Sequence, residues 1–286
     1  MGAQRRARAR RRPPGRRRRA ARRLTSEEAF VSTIADQVAI LRQQGFVVAR
    51  QFAAPDVVAA LRGEAERQLA QAVGPLEYEA DLQYPGAPAS RQAQGGATVR
   101  RLLGAYGRGP LFRQWATTPA VAAWLRAYFN DTPVLSTVHH NCVMTKHPAY
   151  GSLTGWHQDI RYWSFSASDL VSTWLALGNE TADNGGLFFL PGSHAASFPA
   201  GRFDDKKFFR PELAENHAWI ERAVCPELQP GDVVFFHCRT LHAARQNSSD
   251  RVKLSLVHTY HPASCTPLPG TRSASSPGVP LDPAGR

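Results

Sequence analysis

The fold of this chain is decided by the stretch Leu228-Gln229-Pro230-Gly231-Asp232-Val233-Val234-Phe235-Phe236-His237. Its Pro-Gly-Asp segment has the composition of a tight turn, and the β-branched and aromatic residues that follow are typical of a buried strand. Further β-rich runs, each bounded by turn residues, occur at 134–146, 155–163, 170–178, 186–191 and 252–260. Together they predict an antiparallel β-sandwich or barrel in the C-terminal half.

The part of the chain before this β-rich half has helical patterns instead. Helices are predicted over 27–45, ending at Gly45, then after a capping Asp56, and from Thr118-Pro119. The segment 75–98 is polar and rich in Gly, Pro and Gln, which predicts a surface loop, whereas 199–224 is expected to hold loop and helix. The sequence thus predicts a mainly β protein with flanking helices.

The charge of the chain is concentrated at its N-terminus. The formal net charge is +12, from 35 basic and 23 acidic residues. Residues 1–23 contain twelve Arg and no acidic residue, so the rest of the chain has 23 residues of each sign and no net charge. A basic nucleic-acid-binding body is therefore excluded, although the Arg-rich extension itself can bind polyanions.

The extension 1–23 is expected to be disordered, because like charges repel and no apolar periodicity is present. Three interpretations stay open: an arm that binds nucleic acid or an anionic membrane surface, a targeting segment, or translation from a start site placed too far upstream in a GC-rich gene. The main domain is expected to span 24–265. Residues 266–286, rich in Pro, Gly and Ser, predict an irregular tail.

Composition also bears on the compartment. No apolar run approaches the roughly 18 residues of a membrane-spanning helix, and no apolar segment of the kind found in signal peptides follows the basic start. The four cysteines, Cys142, Cys225, Cys238 and Cys265, form no C-x-x-C pair. Free thiols in a reducing compartment, the cytoplasm, are the expectation.

The most informative chemical motif is Thr154-Gly155-Trp156-His157-Gln158-Asp159. If this segment is a strand, His157 and Asp159 lie on the same face and present an imidazole and a carboxylate to one point. A distant histidine would complete two His and one carboxylate, the set that suits non-haem Fe(II) oxygen chemistry. A His and an Asp that only hydrogen-bond to each other on a sheet are the alternative.

Three further motifs follow in order: Asn184-Gly185-Gly186-Leu187-Phe188-Phe189-Leu190-Pro191-Gly192-Ser193-His194, the Pro230–His237 stretch with Leu241-His242 after it, and Asn247–Lys253 before a last strand. With the His157 motif, they resemble the phytanoyl-CoA dioxygenase family of iron(II)- and 2-oxoglutarate-dependent oxygenases. The resemblance covers roughly residues 25–265 and is strongest over 141–262. It implies a double-stranded β-helix, a jelly-roll, cupin-like barrel.

The resemblance also implies a metal site and a reaction. His157 and Asp159, together with His242, would hold Fe(II). His237 is a rival to His242, but its position at a strand end favours a packing role. The family uses O2 and 2-oxoglutarate, releases succinate and CO2, and usually hydroxylates a small-molecule substrate. Asp159 disfavours halogenation, because halogenases of this type have a small residue in its place.

The resemblance gives candidate contacts for 2-oxoglutarate. The family usually has Arg eleven residues after its last metal histidine, where this chain has Lys253, with Arg251 two residues earlier. Both are basic, and on a strand they would share a face, so either is a candidate for the distal carboxylate, with Lys253 favoured. Trp174 matches a tryptophan of the cosubstrate pocket, and Asn141 is a plausible polar contact.

Two other functions stay open at this point. The first is a non-catalytic jelly-roll protein that binds metal without turnover. The second is a nucleic-acid- or membrane-binding protein whose functional element is the Arg-rich extension. The substrate is not predictable, because its expected determinants are the segments 75–98 and 199–224 and the N-terminal helices. The oligomeric state is open as well.

Overall fold

The computed structural model describes residues 33–281. The Arg-rich extension and the start of the first predicted helix lie outside the described residues. The helices are α1 (Ile34–Gln44), α2 (Pro55–Ala70), α3 (Glu79–Leu82), α4 (Pro110–Ala116), α5 (Pro119–Phe129) and α6 (Ala214–Ile220). The strands are β1 (Phe46–Ala49), β2 (Leu76–Tyr78), β3 (Val99–Leu103), β4 (Pro133–Lys146), β5 (Thr154–His157), β6 (Val171–Ala176), β7 (Leu187–Phe189), β8 (Val233–His237), β9 (His242–Ala244), β10 (Lys253–Pro262) and β11 (Val279–Pro280).

The strands form two sheets. The larger has the order β1-β8-β6-β10-β4-β3-β2, with β11 added beside β4, and the smaller has the order β5-β9-β7. Within residues 33–281, the pairings between these strands are all antiparallel, as the short runs and turns predict. The two antiparallel sheets form a double-stranded β-helix, so the predicted fold class is confirmed.

Strand β8 lies inside the large sheet, between β1 and β6. Its residues are buried on both faces, because one face meets the helices and the other meets the barrel interior. The turn before it requires Gly231, whose φ is +93° and where a Cβ would lie 2.7 Å from the backbone oxygen of Ala53. Asp232 fixes this turn by accepting hydrogen bonds from the backbone N–H groups of Gln51 and Gln229.

Helices α1, α2, α4 and α5 cover the outer face of the large sheet. Trp124 of α5 is fully buried and stacks on Phe235 of β8, with ring centroids 3.7 Å apart. Its Nε1 donates to Oε1 of Gln37 on α1 at 2.7 Å, which ties the two helices together. This apolar layer packs against the barrel from outside.

The interior face follows from strand alternation. On β4, the residues His140, Cys142, Met144 and Lys146 are two apart and point the same way. On β10, Lys253, Ser255 and Val257 lie opposite Lys146, Met144 and Cys142. The apolar members of these rows pack with residues of the small sheet, such as Leu187, Phe189 and Ala244, in one cluster between the sheets.

The helical part differs in detail from the predictions. Helix α1 ends at Gly45 with φ +84°, as predicted. Helix α2 begins at Pro55, so Asp56 lies in its first turn and is not the capping residue. The segment 75–98 contains β2 and α3 and is only in part a loop; at the start of α3, the carboxylate of Asp81 accepts a hydrogen bond from the backbone N–H of Tyr78.

The described part of the C-terminal segment packs onto the large sheet. A short 3-10 helix spans Arg272–Ala274, and β11 pairs with β4 next to Leu135. Ser273 is buried and its hydroxyl lies 2.8 Å from Nε2 of His139. Within residues 33–281, the helices all fall short of the length and apolar character required to cross a membrane.

Candidate metal centre

Strand pairing brings the three sequence-predicted metal ligands together. His157 is the last residue of β5 and His242 is the first residue of β9, and the antiparallel register places them directly opposite each other. Asp159 starts a 3-10 helix after β5, so it does not continue the strand as the i, i+2 argument assumed. The helical turn nevertheless brings its carboxylate between the two imidazoles. One ligand atom from each residue lies within 4.8 Å of the others.

The backbone fixes the orientation of both imidazole rings. Nδ1 of His157 lies 2.8 Å from the carbonyl oxygen of Gly155, and Nδ1 of His242 lies 3.0 Å from that of Thr240. A carbonyl accepts, so each Nδ1 is the protonated nitrogen and each Nε2 keeps its lone pair. Nε2 of His157 and of His242 lie 3.7 and 3.5 Å from Oδ1 of Asp159.

Electrostatics favour the neutral state of both rings. Burial, together with the neighbouring His242, holds the pKa of His157 well below its usual range. Burial also lowers the pKa of His242, although Asp159 acts in the opposite direction. Neutral imidazoles are the form that binds a cation, so both rings are ready for a metal at neutral pH.

Asp159 is buried and ionised. Burial alone would raise its pKa, but the surrounding His140, His242 and His157 outweigh burial and lower it. Its Oδ2 has no hydrogen-bond partner among the described residues. A buried carboxylate oxygen without a partner is costly and is satisfied when a cation binds. Two imidazoles and one carboxylate fit Fe(II) and leave further coordination positions open.

A fourth residue, His140, contacts the carboxylate and was not predicted. Its Nε2 lies 2.8 Å from Oδ1 of Asp159. Burial would lower the pKa of His140, but the charge of Asp159 and the hydrogen bond to it raise it to about 9. The sequence signal was the alternation along β4, where His140 shares a face with Cys142 and Met144. The rival His237 lies elsewhere, at the end of β8, where its Nδ1 accepts from the backbone N–H of Arg239.

The candidates for the cosubstrate divide into two groups. Lys253 and Trp174 belong to the interior, where Nζ of Lys253 lies 4.8 Å from the centroid of the Trp174 ring. Both bind Glu180, a fully buried residue that sequence reasoning missed. Nζ of Lys253 donates to Oε2 of Glu180 at 3.0 Å, and Nε1 of Trp174 donates to its carboxylate at 3.1 Å.

Arg251 and Asn141 do not reach the interior. Strand β10 begins at Lys253, so Arg251 precedes it and does not share its face, contrary to the expectation. Its side chain is 89% exposed and lies beside Asp250. Asn141 lies on the opposite face of β4 from His140. Its Oδ1 accepts from the backbone N–H of Tyr106 and its Nδ2 donates to the carbonyl of Thr137, so its hydrogen bonds give no support to a contact with 2-oxoglutarate.

Lys146 is a second ammonium group of the interior, in register with Lys253 across β4 and β10. Its Nζ donates to the carbonyl oxygen of Ser152 at 2.5 Å. Burial and the nearby charge of Arg100 lower the pKa of Lys146 to about 7. Among residues 33–281 no carboxylate lies within ion-pair distance of this ammonium, whereas Lys253 is paired with Glu180.

A jelly-roll barrel with two histidines and one aspartate at the junction of its sheets defines a class of non-haem metal-dependent oxygenases. The family model described as phytanoyl-CoA dioxygenase (PhyH) matches residues 41–255. The chain belongs to this family of iron- and 2-oxoglutarate-dependent oxygenases.

Individual relatives are distant. The chain is 26% identical over 184 residues to phytanoyl-CoA dioxygenase domain-containing protein 1 of Mus musculus, covering 61% of each chain. It is 28% identical over 166 residues to the peroxisomal phytanoyl-CoA dioxygenase of Homo sapiens, covering 54% of this chain and 47% of the relative. The matches thus span less than two thirds of either relative.

A solved structure shares the fold. It is the epimerase SnoN in complex with Fe3+, alpha ketoglutarate and nogalamycin RO, with a TM-score of 0.67 and 24% identity. The alignment covers 87% of this chain and 95% of the epimerase.

Proposed function

We propose that this chain is an Fe(II)- and 2-oxoglutarate-dependent dioxygenase that hydroxylates a small-molecule substrate and releases succinate and CO2. The observation that carries the proposal is the arrangement of His157, Asp159 and His242, with both histidines held by backbone carbonyls so that Nε2 faces the carboxylate. Membership of the family and the iron and alpha ketoglutarate of the epimerase SnoN support it.

In this proposal His157, Asp159 and His242 hold the iron. Bound Fe(II) would supply the activation of O2, with 2-oxoglutarate as the co-reductant. The chain supplies three neighbouring donor atoms, in which two rings are neutral and the carboxylate is charged. Nε2–H of His140 donates a hydrogen bond to Oδ1 of Asp159 and orients the carboxylate, in the way that partners of metal ligands act in other sites.

The side chains around the triad provide an aromatic wall. The ring of Phe208 packs edge-on against His157 at 5.9 Å, and the ring of Trp163 packs against His140 at 5.5 Å. Tyr84 in turn packs against Phe208 at 5.5 Å. Tyr84 comes from the segment 75–98 and Phe208 from 199–224, so the two segments expected to determine the substrate meet beside the triad. An aromatic wall keeps water from the reacting centre and suits a substrate of small-molecule size.

A cytoplasmic location is part of the proposal, because the four cysteines are free thiols and such thiols persist in reducing compartments. Contact with nucleic acid is proposed only for the Arg-rich extension, since the rest of the chain has no net charge. Cell fractionation and salt-dependent RNA binding of the full chain test these two points separately.

Anaerobic titration with Fe(II) and 2-oxoglutarate tests the central proposal. We expect a weak visible charge-transfer band in the wild type and none in His157→Ala. Uncoupled succinate formation in air separates an oxygenase from a protein that only binds metal. Exposed His217, whose side chain is 62% accessible, provides the matched control His217→Ala. A wild type that shows neither the band nor succinate would contradict the proposal.

A further inference from the structure

The barrel interior contains a carboxylate that belongs to the chain itself. Glu180 follows β6 and is fully buried. It accepts hydrogen bonds from Nζ of Lys253 at 3.0 Å, from Oγ of Ser255 at 2.6 Å and from Nε1 of Trp174 at 3.1 Å. Nζ of Lys253 also donates to Oγ of Ser255 at 2.9 Å. An ammonium, a hydroxyl and an indole N–H thus converge on one carboxylate.

Such a set of donors is an anion-binding subsite. A buried carboxylate is stable when charge-assisted hydrogen bonds replace its hydration, which is what these three donors provide. The same donors have the chemistry to bind the distal carboxylate of a 2-oxo diacid. In this chain, however, the subsite already holds Glu180, and Lys253 is no longer a free cation.

We propose that Glu180 is an internal carboxylate that competes with the distal carboxylate of 2-oxoglutarate for Lys253, and that it thereby sets which 2-oxo acid the chain accepts. The inference rests on the proposed oxygenase function. Glu180 is a specificity-determining residue in this scheme, and it lowers the preference for a diacid over a 2-oxo acid that has no distal carboxylate.

Lys146, the second ammonium group of the interior, is the reason why Glu180 lowers the affinity for a diacid without abolishing it. Lys146 lies opposite Lys253 in the strand register, and its Nζ donates to the carbonyl oxygen of Ser152. After Glu180 neutralises Lys253, Lys146 still contributes a partial positive charge at this end of the interior at neutral pH, because its pKa is about 7. A diacid therefore meets the like charge of Glu180 at its far end, whereas a monoacid such as pyruvate meets no repulsion there.

Calorimetric titration with 2-oxoglutarate and with pyruvate tests the proposal, in the presence of Fe(II) under anaerobic conditions. In Glu180→Gln, Lys253 loses its counter-ion and the like charge disappears. We expect the Kd for 2-oxoglutarate to fall by about tenfold or more, and the Kd for pyruvate to stay near that of the wild type. Glu66→Gln is the matched control, because Glu66 lies on the surface in an ion pair with Arg62.

A second variant keeps the test decisive if Glu180→Gln does not fold, since breaking a buried pair is destabilising. The double variant Glu180→Gln/Lys253→Met removes both charges, and we expect it to bind 2-oxoglutarate as the wild type does. An unchanged Kd in Glu180→Gln, or a loss of about tenfold in the double variant, would overturn the inference while leaving the proposed function intact. Failure of both acids to bind to wild type and variants alike would overturn the proposed function and this inference with it.

Discussion

The contact between His140 and Asp159 makes the stability of the metal-free protein depend on pH. Asp159 raises the pKa of His140 to about 9 against the effect of burial, whereas a histidine in an unfolded chain has a pKa of about 6.5. The folded pKa lies above the unfolded value. The pair therefore contributes its full stabilisation below about pH 6.5, and this stabilisation is lost as the pH rises through about 9.

The magnitude follows from the two pKa values. A difference of about 2.5 pKa units corresponds to about 3 kcal/mol of unfolding free energy. His140→Phe keeps a ring against Trp163 but removes the charge. The variant should have a lower unfolding free energy than the wild type, and we expect this deficit to be about 3 kcal/mol larger at about pH 6 than at about pH 10. Urea denaturation of chelator-treated protein across this range measures the difference directly.

The difference in unfolding free energy between the wild type and His140→Phe is taken at each pH. This difference cancels the contributions of other titrating groups, including Lys146. His217→Phe is the control, because the His217 side chain is exposed and its replacement should show little dependence on pH. If the difference in unfolding free energy between the wild type and His140→Phe stays constant from about pH 6 to about pH 10, the charged pair of His140 and Asp159 is refuted. Saturating divalent metal should flatten the profile, because the cation then neutralises Asp159.

Three shorter predictions concern the site and the core. Co(II) should raise the thermal midpoint of the wild type and not that of Asp159→Ala, and an equal rise in both proteins would place the metal elsewhere. Trp124→Ala should lower the unfolding free energy by about 3–5 kcal/mol in urea, because the ring is fully buried against Phe235; a loss below about 1 kcal/mol would contradict this packing. Arg251→Ala should leave the Kd for 2-oxoglutarate unchanged, since its side chain is in solvent, and about tenfold weaker binding would show that the guanidinium reaches the cosubstrate.

Local patterns in the sequence were sufficient to predict the strands and the pair His157 and Asp159, whereas the double-stranded β-helix and the choice of His242 came from the resemblance to the family. The strands followed from short apolar runs between turns, and the His157 motif is local. His140 was missed because one histidine on a strand has no spacing that separates a packing role from contact with a distant carboxylate. Glu180 was missed for a related reason: it lies in a loop, and its partner Lys253 is 73 residues away in the chain.

The expectation for Arg251 shows how a strand end decides the position of a side chain. The predicted run 252–260 begins one residue before β10 does, and the argument for a shared face treated Arg251 as part of the strand as well. In the structure, Nδ2 of Asn247 donates to the carbonyls of Arg251 and Lys146. These bonds hold the chain in a bend before the strand, and periodicity contains no information about such a side-chain contact with the backbone.

The pairing of β5 with β9 provides a way to measure the correctly folded fraction of a preparation. His157 and His242 face each other because of one particular register, and a slip by a single residue would turn the imidazole of His242 to the opposite face. A chain in which the register of β5 and β9 is shifted would therefore not bind the ion, even if the rest of its barrel were correctly folded. Retention of iron during purification thus reports on each molecule's conformational integrity, and metal content per chain becomes a measure of the correctly assembled fraction.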